Sequence, residues 1–410
     1  MALLDAPIVV DDLPAARRAL RLAVVTETYP PEVNGVAMTL ARVVEGLRAR
    51  GHDLQLVRPR QDRSDEADRH DRFHEVLLRG LPIPRYPHLK MGVPSRRALV
   101  QLWSRQRPDL VHIATEGPLG WSALQAALHL KLPVVSDFRT NFHAYSRHYG
   151  IGWLHKPILA YLRKFHNRCA LTMVPTEGLR RELAETGFQR VHVVARGVDT
   201  QRFSPDHRSE ALRAAWGAGP RTQVVLCVGR LASEKNLGLL VEAYAAMRAT
   251  QPDMRLVLVG DGPQRAELQA ACPDAVFAGA RHGADLSAHY ASADLFVFPS
   301  LSETFGNVVP EAMASGLAVL AYDHAAAGRL IRSGENGLLS PIDRSDAFVR
   351  SAAGLVQRAD EARLLGRGAR ATALQHGWDR IFAELESLYL SCLRAAPVET
   401  GRLLVPVGAA

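Results

Sequence analysis

Two glutamates separated by seven residues flank the start of a predicted helix. Glu303 and Glu311 lie on either side of the step Gly306–Asn307 in the stretch SETFGNVVPEAMASG, residues 302–316. A helix start offers unpaired N–H groups to a phosphate, whereas a carboxylate accepts hydrogen bonds from a cis-diol such as that of ribose. The pattern therefore predicts a ligand with an anionic middle and hydroxyl-rich ends. The alternative is a helix cap at Glu303 and a surface ion pair at Glu311.

Two cationic side chains upstream could hold the anionic middle of that ligand. Arg230 and Lys235 lie in VGRLASEKNLG, residues 228–238, between a predicted strand and a predicted helix. A guanidinium and an ammonium in such a loop suit a diphosphate. A second strand–turn–helix, LVGDGPQRAEL, contains Gly260, which permits close backbone approach to a ligand. The alternative for the first stretch is an ordinary basic loop, and the second is not GxGxxG and is a weak signal by itself.

Short apolar runs that alternate with helical patterns must position these residues. In the first half, strands are predicted at 21–26, 53–59, 109–115 and 133–138, and the charged stretch 61–75 is expected to be an exposed loop. A second series of strands and helices begins near residue 222. Strands that are apolar throughout are typical of a parallel sheet covered on both faces.

The predicted fold class is therefore α/β, with two Rossmann-like, doubly wound parallel-sheet domains that face a cleft. Such sheets bind ligands at the carboxyl ends of their strands. The first domain is predicted over residues 1–198 and the second over 199–377. An amphipathic helix, 378–396, is expected to pack back on the first domain, and residues 397–410 are expected to be a tail.

Composition limits the class of protein. The chain has 410 residues, of which 47% are hydrophobic, so it can bury a sizeable core. Its formal net charge of +8 fits a generic basic protein or a surface that meets anions. The four cysteines form no metal-binding spacing and are expected to be reduced and mostly buried. The N-terminal stretch has acids where a signal peptide needs an apolar core, so a cytoplasmic location is expected, with at most peripheral contact at the inner face of the membrane.

With these motifs in view, the sequence resembles the retaining glycosyltransferases of family 4, which have the GT-B fold. The resemblance spans nearly the whole chain. It rests on seven stretches of the sequence: ETYPPEVNGVAMTLARVVEGLRARGHDL, PDLVHIATEGPLG, VPTEGLRREL, RGVDTQRFSP, VGRLASEKN, LVGDGP and ADLFVFPSLSETFGNVVPEAMASG.

The resemblance implies a nucleotide-sugar donor, GDP- or UDP-linked, that is bound mainly by the second domain. It implies that Arg230 and Lys235 bind the diphosphate, that Glu311 binds the ribose and that Glu303 binds the transferred sugar. Together with Arg139, the residues Arg230, Lys235 and Glu303 are the predicted catalytic set. The remaining residues predicted at the donor site are Gly35, Gly260, Phe305, Gly306 and Asn307. No cofactor or bound metal is expected.

One position departs from the family pattern. Relatives commonly read FHT where this chain has Phe138, Arg139 and Thr140. Arginine stays protonated near neutral pH and is no general base, although it can neutralise charge or orient the sugar. His143 and His112 are candidates for the cleft, and a structural role is the alternative for each.

The acceptor is predicted to be a sugar or a lipid that binds the first domain. The resemblance favours α-mannosyltransferases and glycolipid synthases, and nucleic acid is not an expected partner. The basic amphipathic stretch 155–170 suits an anionic membrane surface, or else packs on its own sheet with a solvated basic face. Rival functions are a GT-B enzyme that acts on the nucleotide-sugar alone and a non-catalytic nucleotide-sugar binding protein. A nicotinamide dehydrogenase is disfavoured because neither half has GxGxxG after its first strand.

Overall fold

The computed structural model describes residues 18–32, 34–83, 86–139 and 155–395. Two α/β units follow one another along the chain. The sheet of the first unit has the order β10-β9-β8-β7-β1-β2-β4-β3, and all its neighbours are parallel except β3 and β4. Its strands are β1 (Arg21–Val25), β2 (Asp53–Pro59), β3 (Arg69–His70), β4 (Phe73–Leu78), β7 (Leu110–Ile113), β8 (Val134–Asp137), β9 (Leu171–Val174) and β10 (Val191–Val193). Strands β5 (Gly80–Ile83) and β6 (Tyr86–Gly92) form a separate antiparallel pair.

Helices connect the parallel strands of the first unit. They are α1 (Gly35–Ala49), α2 (Arg96–Arg105), α3 (Pro118–His129), α4 (His155–His166) and α5 (Glu177–Glu185). Helix α1 begins where Asn34 Oδ1 accepts from the backbone N–H groups of Val36 and Ala37, at 3.0 and 2.8 Å. Thr176 caps α5 in the same way through Leu179 N.

The sheet of the second unit has the order β13-β12-β11-β14-β15-β16 and is parallel throughout. This is the doubly wound order, in which the chain starts at the centre and reverses direction between β11 and β14. The strands are β11 (Gln223–Val228), β12 (Met254–Val259), β13 (Val276–Gly279), β14 (Leu295–Phe298), β15 (Ala318–Tyr322) and β16 (Leu338–Ser340). The helices are α6 (Glu210–Ala215), α7 (Leu237–Thr250), α8 (Arg265–Ala271), α9 (Gly283–Ala291), α10 (Val308–Ala314), α11 (Ala325–Leu330), α12 (Ser345–Gln357) and α13 (Ala359–Leu374).

Both sheets are covered on their two faces, as the apolar strands predict. Every residue of β7, β8, β9, β14 and β15 is buried. All four cysteines are buried and unpaired, which agrees with the sequence prediction. In the described part of the chain, no helix has the length and apolarity needed to cross a membrane.

Most of the charged stretch 61–75 is exposed, as its composition predicts, but strand β3 and the start of strand β4 lie within it. Strand β4 begins inside it and pairs with β2. Arg58, on β2, is only 5% exposed and donates to Asp65 at 2.7 Å and to Glu75 at 3.1 Å. Asp65 and Glu75 therefore neutralise a buried guanidinium, whereas the other acids of this stretch are exposed.

The final helix, α14 (Trp378–Ala395), packs on helix α1 of the first unit. Its Glu386 pairs with Arg50 at 2.6 Å and with His52 at 2.9 Å. The chain crosses between the two units near Val198 and again near Gly377, and these two residues form a parallel bridge. The domain boundaries proposed from the sequence stay a prediction, and the predicted tail lies outside the described residues.

Candidate active site

The predicted diphosphate residues lie at the point where the second sheet reverses its strand order. Lys235 lies in the loop after β11, and Glu303 lies in the loop after β14. Because these two strands are neighbours in the sheet, their loops meet at its carboxyl edge. Ligands of doubly wound sheets bind at this crevice.

Lys235 and Glu303 are in direct contact. The Lys235 ammonium forms an ion pair with Glu303 Oε1, and Ser300 Oγ donates to the same oxygen at 2.8 Å. Arg230, on the same loop as Lys235, pairs with Glu234 and is 41% exposed. Glu303 is therefore neither a helix cap nor a surface residue, and the Lys235 ammonium contacts the carboxylate that we expect to bind sugar.

The chain bends sharply between Glu303 and helix α10. Gly306 has a φ of +86°, a left-handed conformation that favours glycine. Asn307 is the N-cap residue of α10. The Phe305 ring is buried in the core, so we expect only its backbone to face a ligand.

Glu311 lies one turn into α10 and is partly buried. Its Oε2 accepts a hydrogen bond from the Tyr290 hydroxyl at 2.9 Å. Burial raises the pKa of Glu311 to about 7, although the Tyr290 hydrogen bond and the charge of Arg202 lower it. The sequence alternative, a surface ion pair, is not what the structure shows.

Gly260 and Gly35, two of the three glycines predicted at the donor site, occupy different surroundings. A Cβ on Gly260 would lie 1.9 Å from the Gly229 carbonyl oxygen, so only glycine lets these two loops pack together. A Cβ on Gly35 would meet no heavy atom of the described residues within 4 Å. The start of α1 is therefore open, as approach of a ligand requires. Donor contacts at both glycines stay predictions.

Arg139 is held by a carboxylate at the end of β8. Its Nε donates to Asp137 Oδ2 at 2.6 Å, and His112 Nε2 contacts the same oxygen at 2.9 Å. Burial raises the pKa of Asp137, but Arg139 and His112 outweigh burial and hold it well below its usual range. The other ring nitrogen of His112 accepts from the Tyr389 hydroxyl of α14 at 2.9 Å. His112 is thus a satisfied core histidine, the structural alternative for this position.

Comparison with known proteins identifies the family. Residues 33–202 match the family described as Glycosyltransferase Family 4, and residues 222–358 match Glycosyl transferases group 1. A GDP-mannose-dependent alpha-mannosyltransferase of Mycobacterium tuberculosis is 37% identical over 90% of this chain and 96% of its own length. The chain belongs to glycosyltransferase family 4.

More distant similarities extend over the same length of this glycosyltransferase. An alpha-monoglucosyldiacylglycerol synthase of Acholeplasma laidlawii is 24% identical over 91% of this chain and 98% of its own length. The solved structure of a sucrose-phosphate synthase from Thermosynechococcus elongatus superposes with a TM-score of 0.74 at 18% identity, and the match covers 91% of this chain and 99% of that one. Other structures with the GT-B fold match as well, which confirms the predicted fold class.

Between the two units of the glycosyltransferase lies a cavity of about 680 Å³, a size typical of small-molecule sites. Thr176 and Gly178, at the start of α5, line it from the first unit. Glu303 and Asp323 line it from the second. The predicted cleft is therefore present, with the sugar-binding candidate Glu303 on its wall.

Sequence reasoning missed two residues at this site. Both ring nitrogens of His324 are buried and have no hydrogen-bond partner among the described residues, and the ring lines the same cavity as Glu303. Burial lowers the pKa of His324, so the ring is neutral near pH 7. Arg196 donates to Asn307 Oδ1 at 3.4 Å from the first unit. Each follows a strand of its sheet; Arg196 opens the stretch RGVDTQRFSP, but that stretch by itself assigns it no role. His143 lies outside the described residues.

The described ranges contain no cluster of three or more His, Cys, Asp or Glu side chains arranged to hold a metal ion. The expectation that the glycosyltransferase uses no bound cofactor stays a prediction.

Proposed function

We propose that this glycosyltransferase moves mannose from GDP-mannose to a lipid-linked acceptor with retention of configuration. The observation that carries the proposal is the ion pair between Lys235 and Glu303 at the strand-order reversal. A nucleotide-sugar places a diphosphate directly beside a hydroxyl-rich ring, and this pair places a cation directly beside a carboxylate. The choice of GDP-mannose draws support from the name of the relative that is 37% identical.

In this proposal each donor group meets a residue of matching chemistry. Lys235 and Arg230 bind the diphosphate, Glu311 accepts from the ribose hydroxyls, and Glu303 accepts from the sugar hydroxyls. When the sugar–phosphate bond breaks, negative charge grows on the diphosphate, and the two cations stabilise it. Preorganised donors of this kind contribute about 2–4 kcal/mol each to transition-state stabilisation.

Arg139 is not the base of the proposed reaction. Its guanidinium stays protonated, and its ion pair with Asp137 compensates the charge. The leaving phosphate itself accepts the proton of the acceptor hydroxyl, so no side-chain base is required. Arg139 then orients the sugar.

The lipid-linked acceptor draws support from the first unit as well as from the diacylglycerol synthase similarity. On α4 the basic side chains Lys156, Arg163 and Lys164 are exposed, whereas Leu162 and Phe165 are buried in the protein. The apolar side of the helix therefore packs on its own sheet, as the structural alternative predicts. Any membrane contact in this proposal is electrostatic and made by the exposed basic face.

The transfer assay offers GDP-mannose and UDP-glucose separately, with a glycosyl diacylglycerol as acceptor. We expect a mannosylated lipid with α configuration, detected by NMR, from GDP-mannose. Sugar released or rearranged without acceptor would instead support the rival enzyme class, and donor binding without turnover would support a binding protein. Flotation with vesicles that contain or lack anionic lipid tests the membrane contact. Equal recovery of the protein with both kinds of vesicle would contradict it.

A further inference from the structure

Arg196 stands where the two units meet. It follows strand β10 of the first unit. Among the described residues, its side chain contacts Asn307 and Phe305 of the second unit. Its Nη1 donates to Asn307 Oδ1 at 3.4 Å, and its guanidinium carbon lies 5.6 Å from the centre of the Phe305 ring. The guanidinium therefore reaches across the cleft to the start of α10.

The charge of Arg196 has no anionic partner within the described ranges. The nearest influences of opposite sign, Asp137 and Glu303, act at a distance, and no ion pair joins Arg196 to a carboxylate there. Burial and the adjacent Arg139 charge both lower the pKa of Arg196. An uncompensated, partly buried cation is costly, and buried charges in folded proteins are normally paired.

A second arginine lines the same cavity as Arg196. Arg139 and Arg196 line one small cavity together with Thr39 of α1. The charge of Arg139 is matched by Asp137, so the net positive charge of the group resides on Arg196. Asn307 Nδ2 donates to Thr39 Oγ1 at 3.5 Å, which brings α1 and the start of α10 to the same place.

We propose that Arg196 binds an oxyanion of the donor diphosphate, as a cation supplied by the first unit. This inference rests on the proposed function, because it concerns the same donor site. The diphosphate is favoured over an anionic acceptor because the Arg196 contact is with Asn307, at the helix start that also follows Glu303. Guanidinium N–H groups bind phosphate oxygens in a planar, charge-assisted geometry.

During transfer, the bond between the anomeric carbon and the phosphate oxygen breaks, and its electron pair stays on that oxygen. The acceptor oxygen forms the new bond to the anomeric carbon, and its proton passes to the leaving phosphate. Arg196 stabilises the negative charge on the diphosphate from the first unit, and Lys235 does so from the second. A bound diphosphate would then contact residues of both units, because each unit supplies only some of the residues that bind it.

The test is calorimetric titration of the full chain with GDP. Arg196→Gln is expected to weaken GDP binding at least tenfold, and Arg196→Lys is expected to weaken it less. The matched control is Arg350→Gln, on the exposed face of α12, where the side chain is 65% exposed. Melting of the unliganded proteins separates the proposed role from a structural one. Because the substitution removes an uncompensated charge, Arg196→Gln should melt at the wild-type temperature or above, whereas loss of a structural contact would lower it.

GDP affinity of Arg196→Gln within twofold of wild type would overturn the inference. A raised KM for an anionic acceptor with unchanged GDP affinity would also overturn it, since the oxyanion would then belong to the acceptor. Lys235→Ala distinguishes this failure from failure of the proposed function. If the wild-type protein binds neither GDP nor UDP, the proposed function is wrong. If Lys235→Ala loses GDP binding and Arg196→Gln keeps it, only the role of Arg196 is wrong.

Discussion

Lys235 and Ser300 both donate to the same oxygen of Glu303, from loops that follow different strands of the second sheet. Two donors on one carboxylate oxygen fix the orientation of the carboxylate. A diphosphate that binds Lys235 therefore arrives next to a carboxylate already oriented for sugar hydroxyls. The cation Lys235 and the carboxylate Glu303 therefore lie side by side, as the diphosphate and the sugar do in a nucleotide-sugar.

Lys235→Ala is expected to lower kcat at least tenfold in the transfer assay. The substitution removes a cation from the place where diphosphate charge grows, which corresponds to about 2–4 kcal/mol of transition-state stabilisation. Circular dichroism should show an unchanged fold. Arg248→Ala, which removes a cation that is 41% exposed on α7, is the control and should retain full turnover. Near-normal turnover of Lys235→Ala would contradict the assigned role.

Stability should fall as pH rises from about 4.5 to about 7, in part through Glu311. Burial raises the pKa of this carboxyl from 4.5 to about 7, so the folded state holds its proton more tightly than the unfolded chain does. The contribution is complete below pH 4.5 and is lost as pH rises through 7. Glu311→Gln should flatten this part of the urea-unfolding profile. Donor affinity should change in the opposite direction, because the ionised carboxylate is the better acceptor for ribose hydroxyls.

Glu27 provides the comparison for that experiment. Burial raises its pKa to about 7 as well, although the backbone N–H groups of Leu119 and Gly92 lower it. Glu27→Gln should also alter the stability profile over this pH range, because the carboxyl lies in the first unit against the start of α3. Only Glu311→Gln should remove the pH dependence of GDP affinity. Equal pH dependence of GDP binding in both variants would contradict a ribose contact at Glu311.

Glu75→Gln is expected to lower the free energy of unfolding by about 3–5 kcal/mol. The reason is that a buried guanidinium, Arg58, would lose one of its two charged partners. Glu66→Gln, an exposed position in the same charged stretch, is the matched control and should change stability little. Chemical denaturation followed by fluorescence provides the measurement. If both variants unfolded at the same urea concentration, the buried ion pair between Arg58 and Glu75 would not contribute measurably to stability.

Tyr389→Phe is expected to destabilise the protein by about 1–3 kcal/mol. The change removes the hydroxyl that donates to His112 Nδ1 at 2.9 Å and leaves a buried acceptor unsatisfied. Ser391→Ala removes a hydroxyl from the exposed side of the same helix and serves as the control. An unchanged melting temperature for Tyr389→Phe would show that the helix does not depend on this bond.

The sequence predicts the framework of the site well, because local patterns determine it. The stretch 53–59 coincides with strand β2, and the run at 21–26 is one residue longer than β1. Apolar runs identify buried strands, and residues that follow such strands must meet at one sheet edge. Lys235 and Glu303 could therefore be placed together although they are 68 positions apart in the chain.

Contacts that depend on distant partners could not be predicted in this way. Asp65 and Glu75 look like solvated acids until β2 places Arg58 beside them. The bond between His112 and Tyr389 joins residues 277 positions apart, and nothing in either local pattern indicates it. Nothing in the local pattern around Arg196 indicates a role, and only the packing of the second unit against it shows that its guanidinium contacts Asn307.

The bridge between Val198 and Gly377 puts both chain crossings at one place. A rotation of one unit against the other would have its axis there, so groups close to the axis would move least. Arg196 precedes Val198 by two positions in the chain. We therefore expect it to keep its distance from Asn307 at every degree of opening, while Thr176 and Glu303 on the large cavity separate. An incoming nucleotide would then first contact both units near Arg196. The cavity lined by Thr176 and Glu303 would close around the sugar afterwards.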